Sequence, residues 1–157
     1  MKFSTREDIE APVEHVYDVL SDIDGWERNA LRRGAELRRS DTLTTLGPGM
    51  AWSIAFDYRG RKRTLDITAT EIVPNETMVF SGMSAPVDGF LSLDLAEMGL
   101  RRTRLIVGLE IRPRTLAARL FIQSLRLAKR KLDRRFAQRV AVICGDIEAR
   151  YRVAQRA

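Results

Sequence analysis

From Arg114 to Cys144 the chain contains neither glycine nor proline, and apolar residues recur through it at steps of three and four. This spacing predicts one long amphipathic helix closing the chain. Ahead of it, from Gly34 to Arg112, short alternating segments are separated by turn residues. A β-rich middle followed by a single long helix constrains the fold strongly. The sheet must bury one face, and the helix is the element available to cover it, so the expectation is a sheet wrapped around a helix with space for a cavity between them.

The strands follow from two-residue alternation. Lys2 to Ile9 puts Phe3, Thr5, Glu7 and Ile9 on one side. Gly34–Ser40 is a short strand. Gly47-Pro48-Gly49 turns into Met50–Tyr58, where Met50, Trp52, Ile54, Phe56 and Tyr58 share a face. Arg59-Gly60-Arg61 is a hairpin turn leading to Thr64–Val73, and Pro74-Asn75 leads to Thr77–Met83. After a loop at Ser84–Asp88 come Phe90–Ala96 and Arg102–Arg112. Consecutive strands with short loops predict antiparallel pairing, one face wet and one buried.

Between the first two strands, Ala11-Pro12 opens a helix whose stripe is Val13, Val16, Tyr17 and Leu20. Asp24 with Glu27 has the spacing of a capping box for a second short helix through Leu31, with Trp26 in its first turn. Thr115 is placed to cap the closing helix. A helix of about 30–40 residues would span roughly 45–60 Å. Its inner stripe is expected to run Ala117, Phe121, Leu125, Ala128, Leu132, Phe136, Val140, Ile143, Ile147 and Tyr151, widened by Leu116, Leu120 and Leu127, with Gly145 a site for a bend.

The 157 residues suit a single domain, 1–157, with a real core. No apolar stretch of about 18 residues is present to cross a membrane. The charged start MKFSTREDIE lacks the apolar core of a signal peptide, which points to a cytoplasmic protein. One cysteine, Cys144, and one histidine, His15, leave no internal disulfide and no cysteine- or histidine-rich metal site. Gly47-Pro48-Gly49 precedes a strand, not a helix N-terminus, and is no phosphate loop. Neither a metal nor a cofactor is expected.

The net charge of +6 is unevenly spread: residues 115–157 hold 11 Lys and Arg against 3 Asp and Glu. Arg126, Arg130 and Arg134, at four-residue spacing, make one solvated stripe. No aromatic side chains interleave for base stacking, so nucleic acid is not expected. An anionic membrane surface is the partner this basic helix could meet. The charges around the hairpin, Asp57, Arg59, Arg61, Lys62 and Arg63, read as exposed turn chemistry, and His15 as a surface residue.

In this order the elements resemble the START-like superfamily, also called SRPBCC or Bet v 1-like, with the polyketide cyclase/dehydrase group closest. The resemblance spans nearly the whole chain. It rests on Ile9-Glu10-Ala11-Pro12-Val13-Glu14-His15-Val16-Tyr17, on Trp26, on Gly47-Pro48-Gly49-Met50-Ala51-Trp52, on Thr103-Arg104-Leu105 and on the closing helix. It implies an α+β helix-grip fold: a seven-stranded antiparallel sheet around the C-terminal helix, with two short helices after strand 1. It also implies a hydrophobic or amphipathic small molecule (lipid, quinone or polyketide-like) held between sheet and helix.

The expected ligand-binding residues are Trp52, Ile54, Phe56, Leu65, Ile67, Phe80, Leu91, Leu93, Leu105, Val107 and Leu109 from the sheet. Phe121 and Leu125 face them from the helix, and Trp26 lies near the entrance. No catalytic residues are assigned, because the inward positions are nearly all apolar and no acid–base pair converges. Two alternatives stand beside a binding protein. One is a polyketide aromatase/cyclase acting by templating. The other is a protein-interaction module using the groove or the basic helix. Oligomeric state and ligand identity are not read from the sequence.

Overall fold

The computed structural model describes residues 1–156. Seven strands form one antiparallel sheet in the order β1-β7-β6-β5-β4-β3-β2. They are β1 (Lys2–Ile9), β2 (Glu36–Arg39), β3 (Ala51–Tyr58), β4 (Arg61–Val73), β5 (Thr77–Met83), β6 (Val87–Gly99) and β7 (Arg102–Pro113). The helices α1 (Val13–Leu20) and α2 (Ile23–Arg32) carry the chain from β1 on one edge to β2 on the other. The sequence-derived α+β helix-grip architecture is the one observed.

Two strand ends extend beyond the sequence expectation. Arg59 and Gly60 both take positive φ, 51° and 76°, which is the twist of a tight two-residue hairpin turn. Pairing therefore reaches Tyr58 opposite Arg61, so β4 starts ahead of Thr64. Val87 pairs with Pro113, which draws residues expected in a loop into β6. β4 carries a bulge between Ala69 and Glu71, and β6 an irregularity between Glu97 and Gly99.

The closing element is not one uninterrupted α-helix. It is α3 (Leu116–Leu125), a 3-10 turn (Arg126–Ala128) and α4 (Lys129–Arg156). The break falls where neither glycine nor proline occurs, while Gly145 lies within continuous helix. The inner positions explain the place. They run Ala118, Ile122, Leu125, Ala128, Leu132, Phe136, Val140, Cys144, Ile147 and Tyr151. The two successive three-residue steps from Ile122 to Ala128 match the period of a 3-10 turn.

In α3 the buried side is thus shifted by one residue from the expected stripe. Ala118 and Ile122 are buried, whereas Phe121, Leu116, Leu120 and Leu127 are exposed. Thr115 caps α3 as expected, accepting from the Ala118 amide at 3.0 Å.

The cap of α2 is Asp22, whose Oδ1 accepts from the Gly25 amide at 3.1 Å, in place of the expected Asp24–Glu27 box. Gly25 suits this cap, because a Cβ there would stand 2.4 Å from the Asp22 carboxylate.

His15 is also not a free surface residue. Its Nε2 donates to the Ile147 carbonyl at 3.1 Å, and its ring lies 5.1 Å from that of Tyr151, joining α1 to α4. The fully buried Thr103 donates to the Ala11 carbonyl at 2.8 Å and fixes the β1–α1 corner to β7.

The core is gathered at one end of the sheet. Ile9, Val16, Leu20, Met78, Leu105, Val107, Val140, Cys144 and Ile147 pack together where α1 meets α4. A second cluster of Met50, Trp52 and Ala69 adjoins it. α4 lies chiefly along β1 and α3 along β7, and no helix approaches β3, β4 or β5 comparably closely. The far ends of β3 and β4 are therefore left less tightly covered.

Candidate functional site

Strand register decides which side chains look toward the helix. Phe56 pairs with Arg63, Ile54 with Leu65 and Trp52 with Ile67. Phe80 pairs with Leu91, and Leu91 with Leu109. Paired residues share a face, so these side chains line the inner surface together with Leu93, Leu105 and Val107.

Twelve of the fourteen expected residues fall into three groups, and Phe121 and Trp26 stand apart. Leu105 and Val107 are buried core, with Leu91, Leu93 and Phe80 packed against them. Trp52 is buried in the second cluster, with Ile54 and Ile67 against it. Phe56, Leu65, Leu109 and Leu125 are half-buried and belong to neither cluster. Phe121 is 55% exposed on the rim of α3. Trp26 is 40% exposed, and its indole donates to the Leu20 carbonyl at 2.9 Å. It thereby joins α2 to the end of α1.

The third group is thus inward by register or half-buried without belonging to a packed cluster. A cleft of about 290 Å³ lies between the N-terminus and the α3–α4 junction, lined by Met1, Ile122, Arg126 and Lys129 and by none of the fourteen expected residues. Another of about 300 Å³ lies mainly on the outer face of the sheet, around Phe90, Ser92, Gly108 and Glu110.

Two polar features on the inner side were not anticipated. The first is Arg63. It sits on the register of Phe56 and Leu65, and its Nε is buried without a hydrogen-bond partner. The signal was present in the alternation of β4, since Arg63 precedes Leu65 by two positions. It was masked by the surrounding charges of the hairpin.

The second is a clamp around Trp52. Its Nε1 donates to Glu27 Oε1 at 3.0 Å. The Arg39 guanidinium lies 5.5 Å from the centre of the Trp52 ring and 3.5 Å from Glu27. Arg39 also donates through Nε and Nη2 to Asp41, at 2.8 and 2.6 Å. The amides of Ala51 and Leu43 each donate to Asp41 at 2.9 Å. The Arg39 hydrogen bond, reinforced by the Ala51 amide, holds the Asp41 carboxyl well below the usual carboxylate range. Asp41 therefore stays ionised at neutral pH and has no proton to give. The clamp is a fastening between α2, β2 and β3.

The remaining reactive groups do not converge. Burial first, then the charges of Glu7 and Glu148, pushes the Cys144 thiol up to about 12. At neutral pH it is a protonated, non-nucleophilic thiol. Burial, followed by the Asp18 charge, raises the Tyr17 phenol. Tyr58 is exposed on the hairpin and Tyr151 lies against His15. Among the described residues no group of three or more His, Cys, Asp or Glu could hold a metal ion. No helix among them is long and apolar enough to cross a membrane.

No family model matches the chain, and no curated protein matches it in sequence. Solved structures do match it in shape. The chain is similar to the Zhui aromatase/cyclase from Streptomyces sp. R1128, at 14% identity, TM-score 0.66, covering 98% of this chain and 97% of that one. It is similar to Ara h 8.0201 at 11% identity and TM-score 0.61, over 96% and 97% of the two chains. A START superfamily protein from Mycobacterium smegmatis matches at 12% identity and TM-score 0.55, over 87% of this chain and 97% of that one. With its element order, sheet topology and gripping helix, the chain has the START-like fold, also called SRPBCC or Bet v 1-like.

Proposed function

We propose that the protein binds a hydrophobic or amphipathic small molecule between the sheet and its closing helix, at the end away from the packed core. One observation carries this reading: Phe56, Leu65, Leu109 and Leu125 lie on the inner side yet belong to neither core cluster. A half-buried apolar wall with a few polar groups is the ordinary form of a small-molecule site. Arg63 would meet the polar end of the ligand, because its buried Nε has no partner within the protein. An amphiphile with an acidic head and an apolar tail fits this pairing, and fatty acids and acidic polyketide-like molecules share that chemistry.

The test is titration of the purified protein with a fatty acid, a quinone and an aromatic polyketide, followed by tryptophan fluorescence and thermal shift. Saturable binding is expected, with Arg63→Gln weakening an acidic ligand about tenfold or more through loss of a charge-assisted hydrogen bond. Leu65→Asp should abolish binding. Failure of all three ligands to bind, alongside native mass spectra showing no retained molecule, overturns the reading.

A second reading draws on the likeness to an aromatase/cyclase. Here the apolar wall would hold a reactive chain in a folded shape, and positioning alone would supply the rate effect. Turnover of a model poly-β-ketone into aromatic product, followed by absorbance, separates this reading from simple binding.

A further inference from the structure

The closing element is apolar on two opposite sides, and only one of them is covered. Ala118 and Ile122 are buried toward the sheet. Leu116, Leu120 and Leu127 follow each other at steps of four and seven on the far side, exposed to 71%, 58% and 97%. Single exposed leucines are unremarkable, but three aligned on one short helix and its turn form a ridge.

The charge around this ridge has one sign. Between Thr115 and Leu132 there is no acidic residue, while Arg119, Arg126, Lys129, Arg130 and Lys131 lie in the same stretch. The three acids of the closing helix are all downstream, and each is engaged. Asp133 pairs with Lys129, Asp146 with Arg150 at 3.0 Å and Glu148 with Arg152 at 3.6 Å. Arg119, Arg126, Arg130 and Lys131 are left in solvent with no carboxylate in ion-pair range among the described residues.

We propose that residues 116–131 dock flat on an anionic phospholipid surface, with Leu116, Leu120 and Leu127 in the acyl boundary and the flanking cations at the headgroups. Leucines on a helix flanked by unpaired cations are the pattern of an interfacial segment, buried about 5–10 Å into the headgroup–acyl boundary. A second copy of the chain is a poorer occupant. Ridge against ridge would bring the same unpaired cations together on a protein already at +6. Leu116, Leu120 and Leu127 face away from the cleft, which shares only Arg126 and Lys129 with this docking surface, so the leucine variants test docking without touching the cleft lining.

The test is flotation of the full chain with extruded vesicles of phosphatidylcholine and phosphatidylglycerol at about 7:3, and of phosphatidylcholine alone, at low and high NaCl. Binding is expected to the anionic vesicles at low salt, with at least a tenfold loss of affinity at high salt. Each of Arg126→Glu and Arg130→Glu should weaken it about fivefold or more. Leu120→Ser with Leu127→Ser should weaken it at least tenfold. All four positions are in solvent, so these variants should melt as the parent does. Leu127→Trp adds a readout that needs no loss of binding: its fluorescence should shift to the blue on anionic vesicles.

Three results would overturn the proposal. One is no binding of the parent chain to anionic vesicles. Another is loss of binding in the arginine variants with none in the leucine pair and no shift for Leu127→Trp, which leaves surface adsorption without insertion. The last is self-association removed by the leucine pair while vesicles are ignored, which assigns the ridge to a second copy.

Discussion

The indole N–H of Trp52 donates a hydrogen bond to Glu27 Oε1 across the gap between β3 and α2, at 3.0 Å. Because the ring of Trp52 is buried, a partner for its N–H has to come from within the protein. Glu27→Ala removes that partner and one of the two carboxylates on Arg39. A loss of about 1–2 kcal/mol is expected, since the Trp52 donor is left in a half-dry setting. Trp52→Phe removes the donor itself, and the double variant should cost less than the two single losses together. Urea unfolding of the four proteins measures this; strict additivity would mean the hydrogen bond contributes nothing.

Asp41 gives the clamp a pH dependence of definite sign. Its folded-state pKa lies below the ordinary value of 3.8, chiefly through the hydrogen bond from Arg39. A depressed carboxylate stabilises the fold at every pH above its unfolded value. That contribution drains away as the pH falls below 3.8 toward the folded value. Asp41→Asn lacks it at all pH values. The melting temperatures of the parent and this variant should therefore differ by a constant amount above about pH 5 and converge as the pH falls below the unfolded carboxylate pKa. A gap that is unchanged at pH 3 would remove Arg39–Asp41 as its source.

Cys144 offers a chemical readout of the core. Its thiol is pushed up to about 12 by burial and by the nearby Glu7 and Glu148 charges. A thiol reagent at pH 8 should leave the native protein unlabelled over hours and label it at once in denaturant. Cys144→Ala, which deletes one buried heavy atom, should cost about 1 kcal/mol. Prompt labelling of the native chain would show that the α1–α4 end opens readily.

Most of the architecture is legible in the sequence because two-residue alternation is a local signal. Phe3 to Ile9, Met50 to Tyr58 and Leu105 to Ile111 announce their inner faces directly. What escaped depends on partners distant in sequence. Glu27 has the spacing of a capping residue for Asp24, yet Trp52, 25 positions away, takes its carboxylate. Arg63 shares the inner face with Leu65 by alternation, but the turn charges on either side of it hide that signal until its pairing with Phe56 is seen. On the closing helix the choice between Phe121 and Ile122 as the inner residue depends on helix phase. The 3-10 turn at Arg126–Ala128 resets that phase without any glycine or proline to mark it.

That one-residue difference in phase can be read in stability. Ile122 is buried against the sheet side while Phe121 is 55% exposed, so the larger side chain should matter less. Ile122→Ala should cost about 2 kcal/mol, at the low end for a buried isoleucine because it borders the cleft at the α3–α4 junction. Ile147→Ala, at the fully buried end of the same stripe, should cost about 3–4 kcal/mol. Phe121→Ala should stay near 0.5 kcal/mol, the range of a surface change. Urea unfolding ranks the three, and the expected order is Ile147, Ile122, Phe121. A phenylalanine loss larger than that at Ile122 would place Phe121 inside the grip and restore the unbroken helix phase that the apolar spacing alone suggests. If instead Phe121→Ala leaves stability unchanged but weakens an acidic ligand along with Arg63→Gln, the ring belongs to the rim of the ligand cleft.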